Sequence, residues 1–326
     1  MFSVTNNRGF VPQSEQFEDR EMVGEDIQAY KVIEKGDFAY NPARINVGSI
    51  AKYEGNGKCM ISSLYVCFNT INRIDRDWFM HLLKTPKMNF YYNLNGEGGV
   101  RVYLFYPNFA RIRSSYPSLA EQKKIAAMLS LIDERIATQS KIIEEQETLL
   151  KSLRESLLKK CSKSSVSCKI GDILTIRSGK DYQHLENGDI PVYGTGGLMC
   201  HVNNFLHDGE SVCIGRKGTI NKPLYLNGKF WPVDTLFYTH SFKGVLPRYC
   251  YHLFCTIDWL TYNEASGVPS LSKSTIEKIS VVIPSIKIQE STVQALDSVE
   301  QKIDIDRNVL LGYQQQKEYL LSRMFI

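Results

Sequence analysis

The chain has 326 residues, 43% hydrophobic and 23% charged, with a formal net charge of +4 at pH 7. That length predicts two domains, and the composition excludes a disordered or low-complexity chain. No run of about 18 apolar residues is present, which excludes a membrane-spanning helix. The mild basicity fits a nucleic-acid partner without demanding one. Residues 1–116 carry 14 basic and 12 acidic side chains, and residues 161–284 carry 12 and 10, so any basic patch must be assembled by folding. The eight cysteines form no Cys-x-x-Cys pair. Buried thiols in a reducing cytoplasm are the expectation.

In chain order, Met1–Thr5 reads as a strand edge, an entry into the middle of a domain. A strand near Asp37–Tyr40 reaches the loop Asn41–Ser49, a further strand covers Met60–Phe68, and a helix is predicted around Asp77–Lys84. After Pro117, apolar residues at Ile125, Leu129, Ile132, Ile136, Ile143, Leu150, Leu153 and Leu157 follow heptad spacing once Gln139 and Gln146 join the seam. Ser118 and Glu121 form a capping box at its start. Ser162–Ser165 is a polar linker. A strand over Ile170–Ile176 then enters the loop Arg177–Lys180, and Ile190–Tyr193 leads to the turn Gly194–Gly197. Ser211–Ile214 ends at Gly215–Gly218, Phe230–Tyr238 reads as turn then strand, and residues 247–263 read as helical. After Pro284 and Ser285 a second heptad stripe runs through Leu296, Val299, Ile303, Leu310, Leu320 and Met324, interrupted by Asp306, Tyr313 and Lys317. Each long helix covers roughly 40 residues, about 60 Å.

An internal repeat organises these elements. Pro117–Gln122 is echoed by Pro284–Gln289, an offset of 167 residues that also pairs Leu129 with Leu296, Ile136 with Ile303 and Leu153 with Leu320. Lys35–Phe38 resembles Asp208–Ser211. A narrow apolar stripe needs a partner, and the two long helices are expected to pair antiparallel. The fold class is α+β: two strand-rich α/β domains separated by two long antiparallel coiled-coil helices in a pseudo-two-fold repeat. The expected boundaries are 1–116, 117–161, 162–283 and 284–326.

Ile190–Gly197, Gly215–Ile220 and Phe230–Thr235 together resemble the target recognition domain of type I restriction–modification specificity subunits. Ser3–Thr5 with Lys35–Ser49 is similar to a second version of that domain, and Pro117–Ile125 leading into the long helix is similar to the family's spacer. The first domain has no counterpart to residues 169–180, so it is expected to be shortened at its N-terminal side. The resemblance implies a non-catalytic DNA-reading subunit with a bipartite target. It implies double-stranded DNA, two methyltransferase subunits and a restriction subunit as partners, and no membrane. It implies no cofactor in this chain, with S-adenosylmethionine held by the partner methyltransferase.

Candidate DNA contacts follow from loops where glycine lets a backbone approach phosphate and where cations or amides reach base edges. In the first domain these are Arg44, Asn46, Ser49 and Lys52. In the second they are Lys180, Tyr193, Thr195, Arg216, Lys217 and Lys222. For each the competing reading is a solvated surface residue, and for Trp231 and Tyr40 it is core. Enzyme readings fail on spacing. Gly171–Lys180 is not a phosphate loop, Gly194–Gly197 lacks a dinucleotide site's third glycine, and the six histidines show no metal-ligand spacing. Cys200, His201, His207 and Cys213 read as scattered loop residues. The alternative function is a coiled-coil scaffold that reads no DNA sequence.

Overall fold

The computed structural model describes residues 1–16, 29–98, 102–159 and 165–325; Cys161 and most of the 162–165 linker lie outside them. The chain divides into two compact units, Met1–Ser140 with Asn308–Ile326, and Lys141–Arg307. In order, the elements are β1 (Phe2–Thr5), β2 (Gly9–Pro12), α1 (Gln13–Gln16), β3 (Lys31–Ile33), β4 (Phe38–Tyr40), β5 (Ile50–Lys52), β6 (Cys59–Ile61), β7 (Val66–Phe68), α2 (Arg76–Leu83), α3 (Pro86–Asn95), α4 (Tyr106–Phe109) and the long α5 (Leu119–Lys159). Then come β8 (Val166–Lys169), α6 (Ile170–Ile173), β9 (Thr175–Ser178), β10 (Asn187–Gly194), β11 (Gly197–Val202), β12 (His207–Asp208), β13 (Ser211–Gly215), β14 (Leu224–Leu226), β15 (Lys229–Pro232), β16 (Leu236–His240), α7 (Pro247–Phe254), α8 (Lys273–Lys278), β17 (Ser280–Ile283) and the long α9 (Ile286–Met324).

The repeat extends to strand order. In the first unit the sheets run β2-β1-β6-β3 and β5-β4-β7; in the second they run β11-β10-β15-β12 and β14-β13-β16-β9. Each begins with an antiparallel hairpin whose first strand pairs parallel with a later one, β1 with β6 and β10 with β15. Each also places β4 or β13 between two antiparallel neighbours. The likeness of Lys35–Phe38 to Asp208–Ser211 is thereby explained, since both lead into the equivalent strand through a positive-φ glycine, Gly36 or Gly209.

Three local expectations change. The strand expected over residues 60–68 is two, β6 and β7, joined to different sheets. Ile170–Ile176 is not one strand: Asp172 accepts the Lys169 N–H at 2.8 Å and starts a helical turn that drops Ile170 and Ile173 into the core. The helix expected over 247–263 stops at Phe254, and a short 3₁₀ turn follows at Trp259–Tyr262.

The long helices behave as their heptads require. Within the first unit, Leu129 and Ile125 pack with Leu320, Leu321, Met324 and Phe325, while Lys317 pairs with Asp133 and Arg135 lies over the Tyr313 ring. Within the second, Gln146 donates to Asp306 at 2.8 Å, Arg307 pairs with Glu147 at 2.6 Å, and Arg154 pairs with Glu300. Partner numbers fall as α5 numbers rise, so the pairing is antiparallel in each unit. The polar residues that interrupt the seam meet one another there, which fixes register.

The echo of Pro117–Gln122 in Pro284–Gln289 also has a physical cause. Gln122 and Gln289 are both 0% exposed. Each amide oxygen accepts the N–H of a residue leading into the adjoining helix, Asp75 or Leu246, at 2.8 Å. Each amide nitrogen donates to two carbonyls, those of Arg73 and Pro117 or of Gly244 and Pro284. One side chain thus ties the start of a long helix to the domain helix beside it.

Candidate nucleic-acid interface

In the second unit the strand directions collect several loops at one end. β10 and β15 run parallel with Tyr193 beside Pro232, so both end together. Gly215, the last residue of β13, lies opposite Leu236, the first of β16, and Ser178 ends β9 opposite Phe237. The turns Gly179–Lys180, Gly194–Gly197, Gly215–Gly218 and Val233–Thr235 therefore gather where the two sheets end together, joined by the hydrogen bonds of Val233 N–H to Tyr193, Lys180 N–H to Pro232 and Arg216 N–H to Thr235. Glycine is required at the first: a Cβ on Gly179 would strike the carbonyl oxygens of Pro232 and Val233.

The loop after β13 is pinned through its backbone. The N–H groups of Arg216 and Lys217 donate to the Thr235 carbonyl at 2.8 and 3.3 Å, that of Gly218 donates to Pro269, and the Arg216 carbonyl accepts from Leu271 at 2.9 Å. With the backbone committed, the Arg216 and Lys217 side chains are exposed. Arg216 reaches only the Asp234 carbonyl, at 3.4 Å. Lys180 and Lys222 are exposed too, and among the described residues no ion pair holds any of the four. Thr195 stands near Gly218. Tyr193 is half-buried against Phe230, more wall than contact.

Residues 265–269, for which the sequence alone gives no site expectation, also belong to this face. They border the Arg216 loop through the Lys217–Ser270 bridge, and Asn263 shapes them by accepting the N–H groups of Ala265 and Ser270. Gly267 and Pro269 are turn signals in the sequence, but their position beside Arg216 depends on a long-range pairing. Arg177, near the end of β9, is exposed and adds a further cation beside Lys180. Acidic Asp181 and Asp234 interrupt the patch, so it is mixed rather than purely basic.

In the first unit the loop after β4 has the corresponding anchor, Leu104 N–H donating to the Pro42 carbonyl at 2.9 Å. Arg44 is exposed before the 3₁₀ turn Ile45–Val47, which Gly48 closes at φ 97°. Asn46 donates to Asn93 at 3.1 Å, and Asn6 of the β1–β2 turn lies against Gly48. Ser49 and Lys52 do not join this face. Ser49 is 2% exposed and donates to the Val4 carbonyl at 2.8 Å. Lys52 sits at the far end of β5, opposite Phe38, where it pairs with Asp77 and Glu54. Tyr40 and Trp231 are core, as their aromatic character predicts.

A second cluster lies where α7 meets the helix pair of the second unit. His252, Asp297 and Glu300 stand close enough to hold a cation, but arginines occupy the carboxylates. Arg248 donates to Asp297 at 2.8 Å and to Glu300, and Arg154 donates to Glu300 and to His252 Nδ1 at 3.2 Å. Burial works against the Arg248 charge, yet the two carboxylates hold its pKa above the ordinary value. Burial also pushes His252 below the usual imidazole range, with Asp297 opposing. Nδ1 accepts from Arg154, so Nε2 carries the proton and donates to Asp297 at 2.8 Å. This arrangement is structural.

Known proteins resemble the chain in sequence over part of its length and in fold over most of it. Residues 163–311 match the type I restriction modification DNA specificity domain. A putative type I restriction enzyme specificity subunit of Haemophilus influenzae is 25% identical over 117 residues, 35% of this chain and 30% of that protein. The type I restriction enzyme EcoprrI specificity subunit of Escherichia coli is 23% identical over 142 residues, 40% of this chain and 35% of that protein. These matches span about a third of either relative. The fold resembles the type I restriction–modification S subunit from M. genitalium, with a TM-score of 0.66 at 16% identity over 90% of this chain and 83% of that one. It also resembles a chain from a type I complex-assembly structure, with a TM-score of 0.60 at 13% identity over the same shares of each chain.

Proposed function

We propose that the chain, whose residues 163–311 match the type I restriction modification DNA specificity domain, is a specificity subunit of such a system and reads a bipartite DNA target for catalytic partners. The observation that carries this reading is the gathering of Lys180, Thr195, Arg216, Lys217 and Lys222 in the loops where the two sheets of the second unit end. The four cations there have no acidic partner among the described residues. A pinned backbone with free cationic side chains is what phosphate contact and guanine recognition require. The first unit offers Arg44 and Asn46 on an equivalent loop of different sequence, so its half-site is a different one. The partners are double-stranded DNA, two methyltransferase subunits carrying S-adenosylmethionine, and a restriction subunit, in the cytoplasm. In this reading the chain binds DNA and its partner subunits and leaves the catalysis to those partners.

The test is DNA binding by the assembled methyltransferase complex as salt is varied. Arg216→Ala is expected to weaken target binding about tenfold or more, a loss of 1–3 kcal/mol. Lys217→Ala should weaken all sequences alike and reduce the salt slope by about one. Lys52→Ala should change neither. Binding that ignores salt and tolerates Arg216→Ala would instead favour a scaffold that reads no DNA.

A further inference from the structure

The hairpin of β10 and β11 carries an apolar pair that the core does not take up. Val202 is buried and Cys200 packs in the same cluster, so alternation along β11 would turn Leu198 inward and Met199 outward. The strand pairing breaks that alternation. Val192 lies opposite Cys200, but Tyr193 lies opposite Leu198, so Met199 is the extra residue of a β-bulge. A bulge re-aims side chains. Here both Leu198 and Met199 are exposed, at 56% and 54%.

The turn before them is bare. Gly196 and Gly197 have open space where a Cβ would stand, and Gly197 takes a φ of 111°. A Cβ on Gly194 would come 2.7 Å from Met199 Sδ, so the methionine folds over that glycine. Leu198 and Met199 are therefore the bulky side chains of the hairpin tip. The tip borders the cationic loops: Thr195 Oγ1 lies 3.6 Å from where a Gly218 Cβ would be, and Lys180 N–H bonds to Pro232 beside Tyr193. A single exposed apolar residue is ordinary on a protein surface. Two neighbours turned outward together, next to Arg216 and Lys217, form a distinct apolar spot inside a surface suited to phosphate.

We propose that Leu198 and Met199 read the C5 methyl group of a thymine in the half-site of the second unit. The proposal rests on the DNA reading above and adds a base to it. A two-stranded ribbon fits the major groove, and the thymine methyl is the apolar group which that groove presents. Arg216 and Lys217 can sense hydrogen-bonding edges and phosphates, but not a methyl group. An apolar side chain laid against the methyl removes both from water, which supplies the discrimination.

The experiment uses the assembled methyltransferase complex and short duplexes carrying its mapped target, with each thymine replaced in turn by deoxyuridine. That replacement deletes the methyl and leaves the hydrogen-bonding edges unchanged. At one position, in the half that Arg216→Ala affects, it should weaken binding about three- to fivefold, as expected for one buried methyl. A chain carrying Leu198→Ala and Met199→Ala should bind the thymine and uracil duplexes alike. No uracil effect in that half, or an undiminished uracil effect in the double variant, overturns the proposal. If Arg216→Ala still weakens binding in that case, the thymine contact alone has failed. If the parent complex prefers no sequence, the DNA reading has failed with it. Loss of the methyltransferase subunit from the double variant would also overturn the proposal, by placing the pair in a protein interface.

Discussion

Glu300→Ala is expected to cost the second unit about 3 kcal/mol, because it strands Arg154 and takes from Arg248 one of its two carboxylates, leaving only Asp297. Glu300 accepts from Arg154 on α5, from Arg248 on α7, and from the Tyr251 hydroxyl at 3.1 Å. Both arginines are shielded further by aromatic rings, Arg248 lying between Tyr225 and Tyr251 at 4.7 and 4.8 Å from their centroids. Without the carboxylate, like charges face each other in a half-buried site. The measurement is the urea midpoint of the unit, with hydrogen exchange on α7 as the local readout. A shift no larger than that of a surface glutamate would show that the network contributes little.

The same cluster fixes a sign for pH dependence. His252 is fully buried and held neutral, its pKa depressed by burial. Its unfolded value is about 6.5. The unfolded chain therefore binds the proton more readily, and the stability contributed by neutral His252 is present above that pH and lost as pH falls through and below it. Protonating Nδ1 would also set N–H against the Arg154 N–H. The second unit should lose stability between about pH 7 and pH 5, and His252→Asn should flatten that slope. His81 in the first unit is depressed by burial as well, so the whole chain keeps some acid sensitivity.

Gln289→Ala should be comparably damaging. It leaves the Leu246 N–H and the carbonyls of Gly244 and Pro284 without partners in a site that is closed to water. Each unsatisfied buried group costs about 1–3 kcal/mol, and the three are not additive, so a loss of about 3 kcal/mol is expected. Gln289→Glu should fail to rescue, because a carboxylate cannot donate to the two carbonyls. Thermal unfolding of the two variants checks this, and retention of the parent midpoint by the glutamate variant would contradict it.

The repeat was legible in sequence because its cause is periodic. Heptad spacing survives in Leu129, Ile132, Ile143 and Leu150, and the glutamine clamp recurs at a constant offset. The Gly215–Gly218 loop was legible because glycine marks the strand end and cations follow at once. The misplacements share one physical origin. Nothing local says that Ser49 faces Val4, or that Asp77, 25 residues away in the chain, neutralises Lys52. Alternation of residues does not reveal which face of a short strand is inward. The break between β6 and β7 was hidden because both halves are apolar. The 265–269 loop was hidden because only the fold brings it to Arg216.

The central claim is that two different half-sites are read by two equivalent loops. Its most direct test is co-expression of the chain with its methyltransferase subunit, followed by long-read mapping of methylated adenines. The account predicts a bipartite, asymmetric motif, whose half assigned to the second unit alone changes in the Arg216→Ala chain. A palindromic motif, or an unchanged motif in that variant, would contradict it.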